Sequence, residues 1–439
     1  MCNFGYNFLL IVVCPLTVKK VYWKKDIPDM QEIEGTILPY AYGKSYGDSC
    51  LNEGGTLIDM KDMNRFIEFD EDNGRIKCEA GTSLAEVLDV VFDKGYFIQA
   101  TPGTKHISVA GAVANDVHGK NHHVGGTFGC HVNSFELIRS NGEILNCSAN
   151  ENPEMFAATI GGLGLTGIIT KVDFNLKKVP SKFIKNESIK FSSLEEFFEI
   201  NNDSKAYDYT VSWVDVGSKG KKIGRGLFGR GNFADPATEN IPTEPDSGVF
   251  TFPIEAPFIN KISVKAFNYL YYAKQTQKID KKIIYYEPFF YPLDALNDWN
   301  KAYGGKGFLQ YQFVIPFENS LEHLKKIFTI IDRSGMSSFL TVLKSFGDVP
   351  SPGMLSFPRP GVTLAIDFPM KGRSTLDVLN RCDEIVREAG GAWYPAKDAR
   401  MSGEDFRSSY PRLEEFKQYI DKQNSKSKNS LLKSYDTFL

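Results

Sequence analysis

Pro102-Gly103-Thr104, followed by Val109-Ala110-Gly111-Ala112-Val113-Ala114-Asn115-Asp116-Val117-His118-Gly119-Lys120-Asn121-His122-His123, is the stretch on which the reading of this chain turns. It opens a segment, 103–167, that holds 11 of the 38 glycines. Glycine at that density lets backbone approach a ligand closely. Five of the six histidines (His106, His118, His122, His123, His131) also fall there. His118 and His122 have the four-residue spacing of helical zinc ligands. Gly119, Gly125, Gly126 and Gly129 argue against a helix carrying both, and no C-x-x-C or H-E-x-x-H accompanies them. The cluster therefore reads as a polar loop, or as a contact to a phosphate or an active-site proton, and no metal is expected. Gly119-Lys120 is not a P-loop, because no glycine lies five residues before Gly119 and Asn121 stands where Ser or Thr is required.

Outward from this stretch, Gly162-Leu163-Gly164-Leu165-Thr166-Gly167 matches G-x-G-x-x-G. A Rossmann turn needs a strand before it and a helix after it. Here a helix-like stretch (Pro153 to Thr159) precedes and β-rich sequence follows, so a nicotinamide site is rejected. Ser83 with Glu86, and Ser193 with Glu196, read as capping boxes. Apolar stripes at helical spacing run through Leu84–Phe92, Leu321–Ile331 and Leu376–Val386, closed by Gly95, Gly335 and Gly390. Strand-like runs lie at 56–60, 167–174, 307–315 and 362–368. The fold class is α+β, with strands clustered rather than alternating with helices.

The chain has 439 residues, 42% hydrophobic and 24% charged, with net charge −3. That composition supports a sizeable core in two or three domains and excludes a wholly disordered or fibrous chain. The near balance of charge argues against a nucleic-acid binder. Seven widely spaced cysteines do not form a disulfide framework, and a reducing compartment fits them best. The apolar run Phe8–Leu16 is too short to span a bilayer and reads as a ragged first strand. After Pro180 the glycine and histidine density drops and aromatics rise, to 12 in the 42 positions 250–291. A ligand-cradling domain is placed at 1–179, a substrate-binding cap domain at 180–391, and a returning segment at 392–439, whose polar tail from Lys422 reads as frayed. Within 261–282, six lysines and one acid are interleaved with Phe267, Tyr269, Tyr271 and Tyr272. This reads either as cap-domain core with lysines outside or as a membrane-surface patch.

Three segments taken together (Tyr42-Gly43-Lys44-Ser45-Tyr46-Gly47-Asp48, the 102–123 stretch, and 161–167) resemble the FAD-binding domain of vanillyl-alcohol-oxidase-type (PCMH) flavoproteins, in particular the decaprenylphosphoryl-β-D-ribose 2′-oxidase branch. The similarity runs from about Val21 to about Phe416. It implies a two-domain PCMH-type FAD-binding fold with an antiparallel-sheet substrate (cap) domain and the flavin at the domain junction. Glycine-rich turns expose the N–H groups that a pyrophosphate needs. By resemblance, FAD lies against Gly43, Lys44, Ser45, Tyr46, Gly47, Asp48, Pro102, Gly103, Thr104, Ala110, Gly111, Ala112, Asn115, His118, Asn121, His122 and His123. Gly162, Gly164, Gly167, Ile168, Ile169, Tyr394 and Lys397 complete that set. Some relatives attach FAD to a histidine where this chain has Lys44, so non-covalent FAD is expected.

The implied substrate residues are Gln310, Gln312, Lys344, Phe346, Thr363 and Ala365. Gln310 and Gln312, two apart on a strand, share one face. The mycobacterial pattern has cysteine where this chain has Ala365 and asparagine where it has Thr363, so a thiol-directed adduct at that position is not expected. The resemblance implies hydride transfer from a sugar carbinol, the 2′-OH of a polyprenylphosphoryl pentose, to flavin N5. Lys397 is the candidate base or alkoxide-stabilising cation, with His118, Gln312, Lys344 and Tyr46 beside it. It further implies a short-chain dehydrogenase partner that reduces the keto product; the cysteine usage and the 261–282 patch give the expected location, cytoplasmic and peripheral to the inner membrane face. The alternatives are an aldonolactone oxidase of the D-arabinono-1,4-lactone type and a non-catalytic flavin-binding protein.

Overall fold

A computed structural model describes residues 3–6, 13–238, 241–245, 248–252, 255, 258–336 and 338–421. Most of the apolar run at 8–12 and the tail from Lys422 lie outside these residues. Strand Val13–Lys20 begins within that run and pairs in parallel with Thr56–Asp59, which in turn pairs with Ile37–Tyr40.

Next to this small sheet lies a larger antiparallel one, ordered Phe66–Asp70, Arg75–Glu79, Ile168–Lys178, Val132–Ile138 and Ile144–Ser148, with Tyr96–Ile98 also pairing to Ile168–Lys178. Helix Leu84–Val91 packs on it through Leu84, Val87, Leu88 and Val91. The Ser83 box forms: the Glu86 N–H donates to Ser83 Oγ at 3.1 Å, and the Ser83 N–H donates to Glu86 Oε2 at 2.7 Å. Such a cap stabilises by about 1 kcal/mol. At the second predicted box Ser193 still accepts from the Glu196 N–H, but the Glu196 carboxylate reaches the Ser192 N–H instead, one residue early.

The third sheet has eight strands, all antiparallel, in the order Ile279–Tyr285, Phe183–Phe191, Gly226–Phe233, Tyr209–Val214, Thr341–Phe346, Gly361–Pro369, Phe308–Ile315 and Ala392–Trp393. One face is covered by helices Leu194–Asn202, Ser320–Ser334 and Arg373–Glu388, whose apolar stripes interlock with Phe228, Leu343, Leu364 and Phe313 in one core. Strand alternation sends the intervening residues to the other face. There Val211, Trp213, Leu227, Val342 and Ala365 are only half-buried, because that face fronts a cavity.

Helix Lys261–Lys274 lies over this second face. Of the aromatic stretch 250–291, Tyr286, Phe289, Phe290 and Tyr291 are core residues, but they join the core under the six-stranded sheet rather than the one under the cap helices. The core reading does not hold for the helix, where only Val264 and Asn268 are buried.

Candidate active site

The cavity has a volume of about 1220 Å³ and lies where the 41–46 loop, the 101–120 segment, the eight-stranded sheet and the 394–397 segment converge. Helix Val109–Ala114 is started by Ser108, whose hydroxyl accepts from the Gly111 N–H at 3.0 Å. The Asn115 side-chain amide donates to Gly111 O at 2.9 Å, so Ala110, Gly111 and Asn115 present a tight, small-residue wall. Asp116, at φ 41°, turns the chain inward; its carboxylate accepts from Gly129 N–H and from the hydroxyls of Ser351 and Ser356. That turn delivers His118, Gly119 and Lys120 to the cavity.

On the sheet side, the Gln312 amide donates to His118 Nε2 and to Thr363 Oγ1, each at 3.2 Å. Burial and the nearby cations hold the His118 pKa well below the usual histidine value, so the ring is neutral. The bond from Gln312 then leaves its proton on Nδ1, which has no hydrogen-bond partner among the described residues. Gln310 donates to Asp367 Oδ1 at 2.7 Å.

Three lysines reach the cavity, Lys344 buried and Lys120 and Lys397 half-buried. Lys344 Nζ donates to Gly119 O at 2.7 Å, and Lys120 Nζ donates to Phe289 O. Burial pushes both pKa values down to about 7, and Lys344 is lowered further by its cationic neighbours Lys120 and Lys397. Lys397 sits with Nζ 3.8 Å from the centre of the Tyr46 ring. Burial brings its pKa down to about 8, with the Asp367 carboxylate opposing the shift. Asp367 is itself raised to about 7 by burial.

The segment bearing Lys397 is anchored at both ends. The N–H groups of Tyr46 and Gly47 donate to Ala396 O at 2.9 and 3.1 Å, and Tyr394 Oη donates to Asn115 O at 2.9 Å. Beyond it, Arg400 pairs with Asp383, which also accepts from Tyr311 Oη and Trp393 Nε1. A buried network of this kind fixes geometry when every member is satisfied.

Of the residues singled out from sequence, Gly43, Lys44, Ser45, Tyr46, Pro102, Gly103, Thr104, Ala110, Gly111, Asn115, His118, Gly164, Gly167, Ile169, Tyr394, Lys397, Gln310, Gln312, Lys344 and Ala365 line this one cavity. The others stand behind its wall for identifiable reasons. Gly47 packs against the backbone of 395–398, and Asp48 is buried near Asp398. Ala112 and Ile168 point into cores, Ile168 because it neighbours cavity-facing Ile169 on a strand. Asn121 donates to Gln99 O, His123 Nε2 meets Tyr207 O, and His122 packs on Phe346 with ring centres 4.6 Å apart. Phe346 also supports His118 from below at 4.9 Å, Thr363 holds Gln312 from behind, and Gly162 is pressed against Ala158 O. One turn of helix, His122–Gly125, does form in the glycine-rich loop, but it starts after His118, so the two histidines share no helix. Among the described residues no group of three or more His, Cys, Asp or Glu is placed to hold a metal ion.

Two groups that bear on the cavity are not among those singled out from sequence: Lys120, which lines it, and Asp367, which is buried behind Gln310. Lys120 was visible only as a failed P-loop lysine, and nothing local signals its burial. Asp367 continues the two-residue spacing Thr363, Ala365 on the same strand, and that spacing was sufficient to find it.

Residues 29–148 match the family model described as an FAD binding domain. The chain is 36% identical over 391 residues to decaprenylphosphoryl-beta-D-ribose oxidase of Mycolicibacterium smegmatis, covering 87% of this chain and 84% of that one. It is 28% identical over 165 residues to D-arabinono-1,4-lactone oxidase of Kluyveromyces lactis (36% and 31% of the two chains), and 29% identical over 140 residues to cytokinin dehydrogenase 2 of Arabidopsis thaliana (32% and 28%). The cavity fits FAD. Gly103 borders it with open space where a side chain would be, leaving backbone accessible. The buried atoms Ser49 Oγ, Asn115 Oδ1, His118 Nδ1 and Gln310 Oε1, all of cavity-lining residues, have no hydrogen-bond partner among the described residues. Buried polar atoms of that kind call for a polar ligand. The architecture, the cavity and the near full-length similarity agree: the chain belongs to the decaprenylphosphoryl-β-D-ribose oxidase family of FAD-dependent oxidoreductases acting on CH–OH groups.

Proposed function

We propose that this enzyme oxidises the 2′-hydroxyl of a polyprenylphosphoryl pentose to a keto sugar. The observation that carries the reading is the convergence of Lys120, Lys344 and Lys397 with the Gln312–His118 pair in a single, largely apolar cavity. Non-covalently bound FAD supplies the two-electron acceptor for the hydride of the carbinol carbon. Lys397, brought by burial to a pKa of about 8, takes the hydroxyl proton as its neutral amine. Asp367 stands as counter-charge to the ammonium so formed. Lys344 and Lys120 offer cationic donors to the substrate phosphate. Gln312 holds the neutral His118 ring in one orientation, and Tyr46 caps Lys397. The surrounding apolar wall excludes water from the reacting carbon.

The decisive experiment is anaerobic addition of farnesylphosphoryl pentose to the purified yellow protein. Loss of the visible flavin absorbance is expected. Bleaching by an aldonolactone and not by the lipid-linked sugar would replace this reading with the lactone oxidase one. Protein that takes up FAD but is bleached by neither would turn it to a flavin-binding role.

The same reading sets the enzyme in the cytoplasm at the inner membrane face, with a reductase of the short-chain dehydrogenase class consuming the keto product. Helix Lys261–Lys274 supports the membrane contact: Ile262, Leu270 and Tyr269 are 80%, 65% and 62% exposed beside Lys261, Lys265 and Lys274. Large apolar side chains set among lysines suit an anionic lipid surface. Reversing these three charges to glutamate is expected to weaken sedimentation with phosphatidylglycerol vesicles by about tenfold at low salt. Undiminished sedimentation would remove the membrane contact from the reading.

A further inference from the structure

Strand register puts five cavity residues in a single cross-strand row. Gln312 is paired with Ala365, Ala365 with Val342, Val342 with Trp213, and Trp213 with Leu227. Directly opposed residues in neighbouring strands project from the same face of a sheet. Four inter-strand steps carry the row about 19 Å from Gln312. All five residues line the cavity, so the row is a continuous floor leading away from His118. After Gln312 it is entirely apolar.

A parallel row flanks it. Val211 pairs with Gly229, two residues along from Trp213 and Leu227 on the same face, and both line the cavity. Gly229 leaves that part of the floor without a side chain. A Cβ there would meet its nearest neighbour, Val211 O, at an ordinary 3.5 Å, so the missing side chain opens width that the backbone does not require. Beside the middle of the row, Lys344 lies two residues from Val342 on the same strand and therefore on the same face, and it is paired with Thr363, which holds Gln312.

The roof is helix Lys261–Lys274. Val264, Phe267 and Tyr271, at helical spacing, all line the cavity. Tyr271 meets the Trp213 ring at 4.8 Å, and Phe267 meets Phe339 at 5.8 Å. The opposite side of the same helix carries the exposed Ile262, Tyr269 and Leu270. One helix thus has an apolar face over the channel and an apolar face toward the outside.

We propose that the groove floored by Ala365, Val342, Trp213 and Leu227 and roofed by helix Lys261–Lys274 is a prenyl-chain channel, in which the first isoprene units of the substrate lie with the phosphate beside Lys344. The occupant is set by continuity with the sugar site, by the apolar floor and roof, and by the cation Lys344 on the side of the row toward Gly119, with none at Trp213 and Leu227. A free sugar or lactone has nothing to place there. The inference rests on the polyprenyl-sugar reading above and adds to it where the lipid goes and which residues make the enzyme prefer lipid-linked substrate.

The test is calorimetric titration of the FAD-loaded protein with farnesyl phosphate and with methyl phosphate. Farnesyl phosphate is expected to bind about a hundredfold more tightly, since the two differ only in buried hydrocarbon. Leu227→Asp and Gly229→Leu, one charging the floor and the other filling it, are each expected to reduce that preference to tenfold or less (about one order of magnitude at least) while methyl phosphate binding is unchanged. Retained flavin absorbance and an unchanged unfolding midpoint certify the fold, and Gly229→Leu serves if Leu227→Asp does not fold. Equal affinity for the two phosphates, or a preference that survives in both variants, overturns the channel. The outcome for the sugar reading is separate: farnesyl phosphate that binds in the wild type and not in the variants supports the channel even if farnesylphosphoryl pentose fails to bleach the flavin.

Discussion

Lys397→Ala is expected to lower kcat by about a thousandfold, the middle of the range for loss of a positioned general base, while the protein stays yellow. Nζ lies over the Tyr46 ring in a site where the other lysines, Lys120 and Lys344, are already committed to the backbone oxygens of Phe289 and Gly119. Neither neighbouring base replaces it: His118 Nε2 is occupied by Gln312, and Asp367 is buried behind Gln310, outside the cavity lining. The pH dependence carries the sign. Burial lowers the Lys397 pKa from 10.5 to about 8, so the neutral amine is the minor form at pH 7 and grows as pH rises. In the wild type kcat should climb nearly tenfold per unit below about pH 8 and level off above it. KM should move in the opposite sense for activity, rising over the same interval, because Lys344 and Lys120 lose their charge near pH 7 and with it their hold on an anionic substrate. Stopped-flow reduction of the flavin across pH 6–10 separates the two. A kcat that falls with pH would make Lys397 an electrostatic stabiliser acting as its cation, and a kcat profile unchanged in Lys397→Ala would remove it from the chemistry.

What could be read in the sequence was whatever is written in local spacing. The helix at Leu84–Val91 announced itself by its cap and its i, i+3, i+4 stripe, and the rejection of a nicotinamide Rossmann site followed from helix-before-strand order around Gly162–Gly167. Gln310 and Gln312 were placed on one face by strand alternation alone. The glycines of 103–167 signalled a ligand without distinguishing those that border it from those that serve packing: Gly103 opens onto the cavity, whereas Gly162 would drive a Cβ to 2.2 Å from Ala158 O. Both look alike in a motif. Residues whose role is set by what lies behind them were equally opaque. His122 and Phe346 form a second layer under His118, and Asp367 acts through Gln310 and Lys397, relations made by strands far apart in the chain. The cross-strand row from Gln312 to Leu227 lies in register, and register across four crossovers is not a property of any single segment.

Gly47→Ala should be nearly as damaging as loss of the lysine, for a reason that has nothing to do with chemistry at residue 47. A Cβ built there falls 2.6 Å from Pro395 O and 3.0 Å from Asp398 O, both backbone atoms that no rotamer change can move. The Tyr46 and Gly47 N–H groups share Ala396 O as acceptor, so the 43–47 loop and the 394–398 segment are locked at backbone contact distance. Relief of the clash requires the two to part by several tenths of an ångström or more. Lys397 would leave its place over Tyr46, and the loop bearing Gly43 and Lys44 would shift at the cavity wall. Misplacement on the ångström scale costs about a hundredfold in rate, and overpacking of this kind costs about 1–3 kcal/mol in stability. The expected phenotype is therefore double: kcat/KM reduced about a hundredfold and FAD released more readily on dilution, read as loss of flavin absorbance after gel filtration. Gly248→Ala, where a Cβ meets nothing within 4 Å, is the matched control and should leave both unchanged. Full activity and full FAD retention in Gly47→Ala would mean that the 43–47 loop and the Lys397 segment are not rigidly coupled, and that the lysine is positioned from the Arg400–Asp383 side alone.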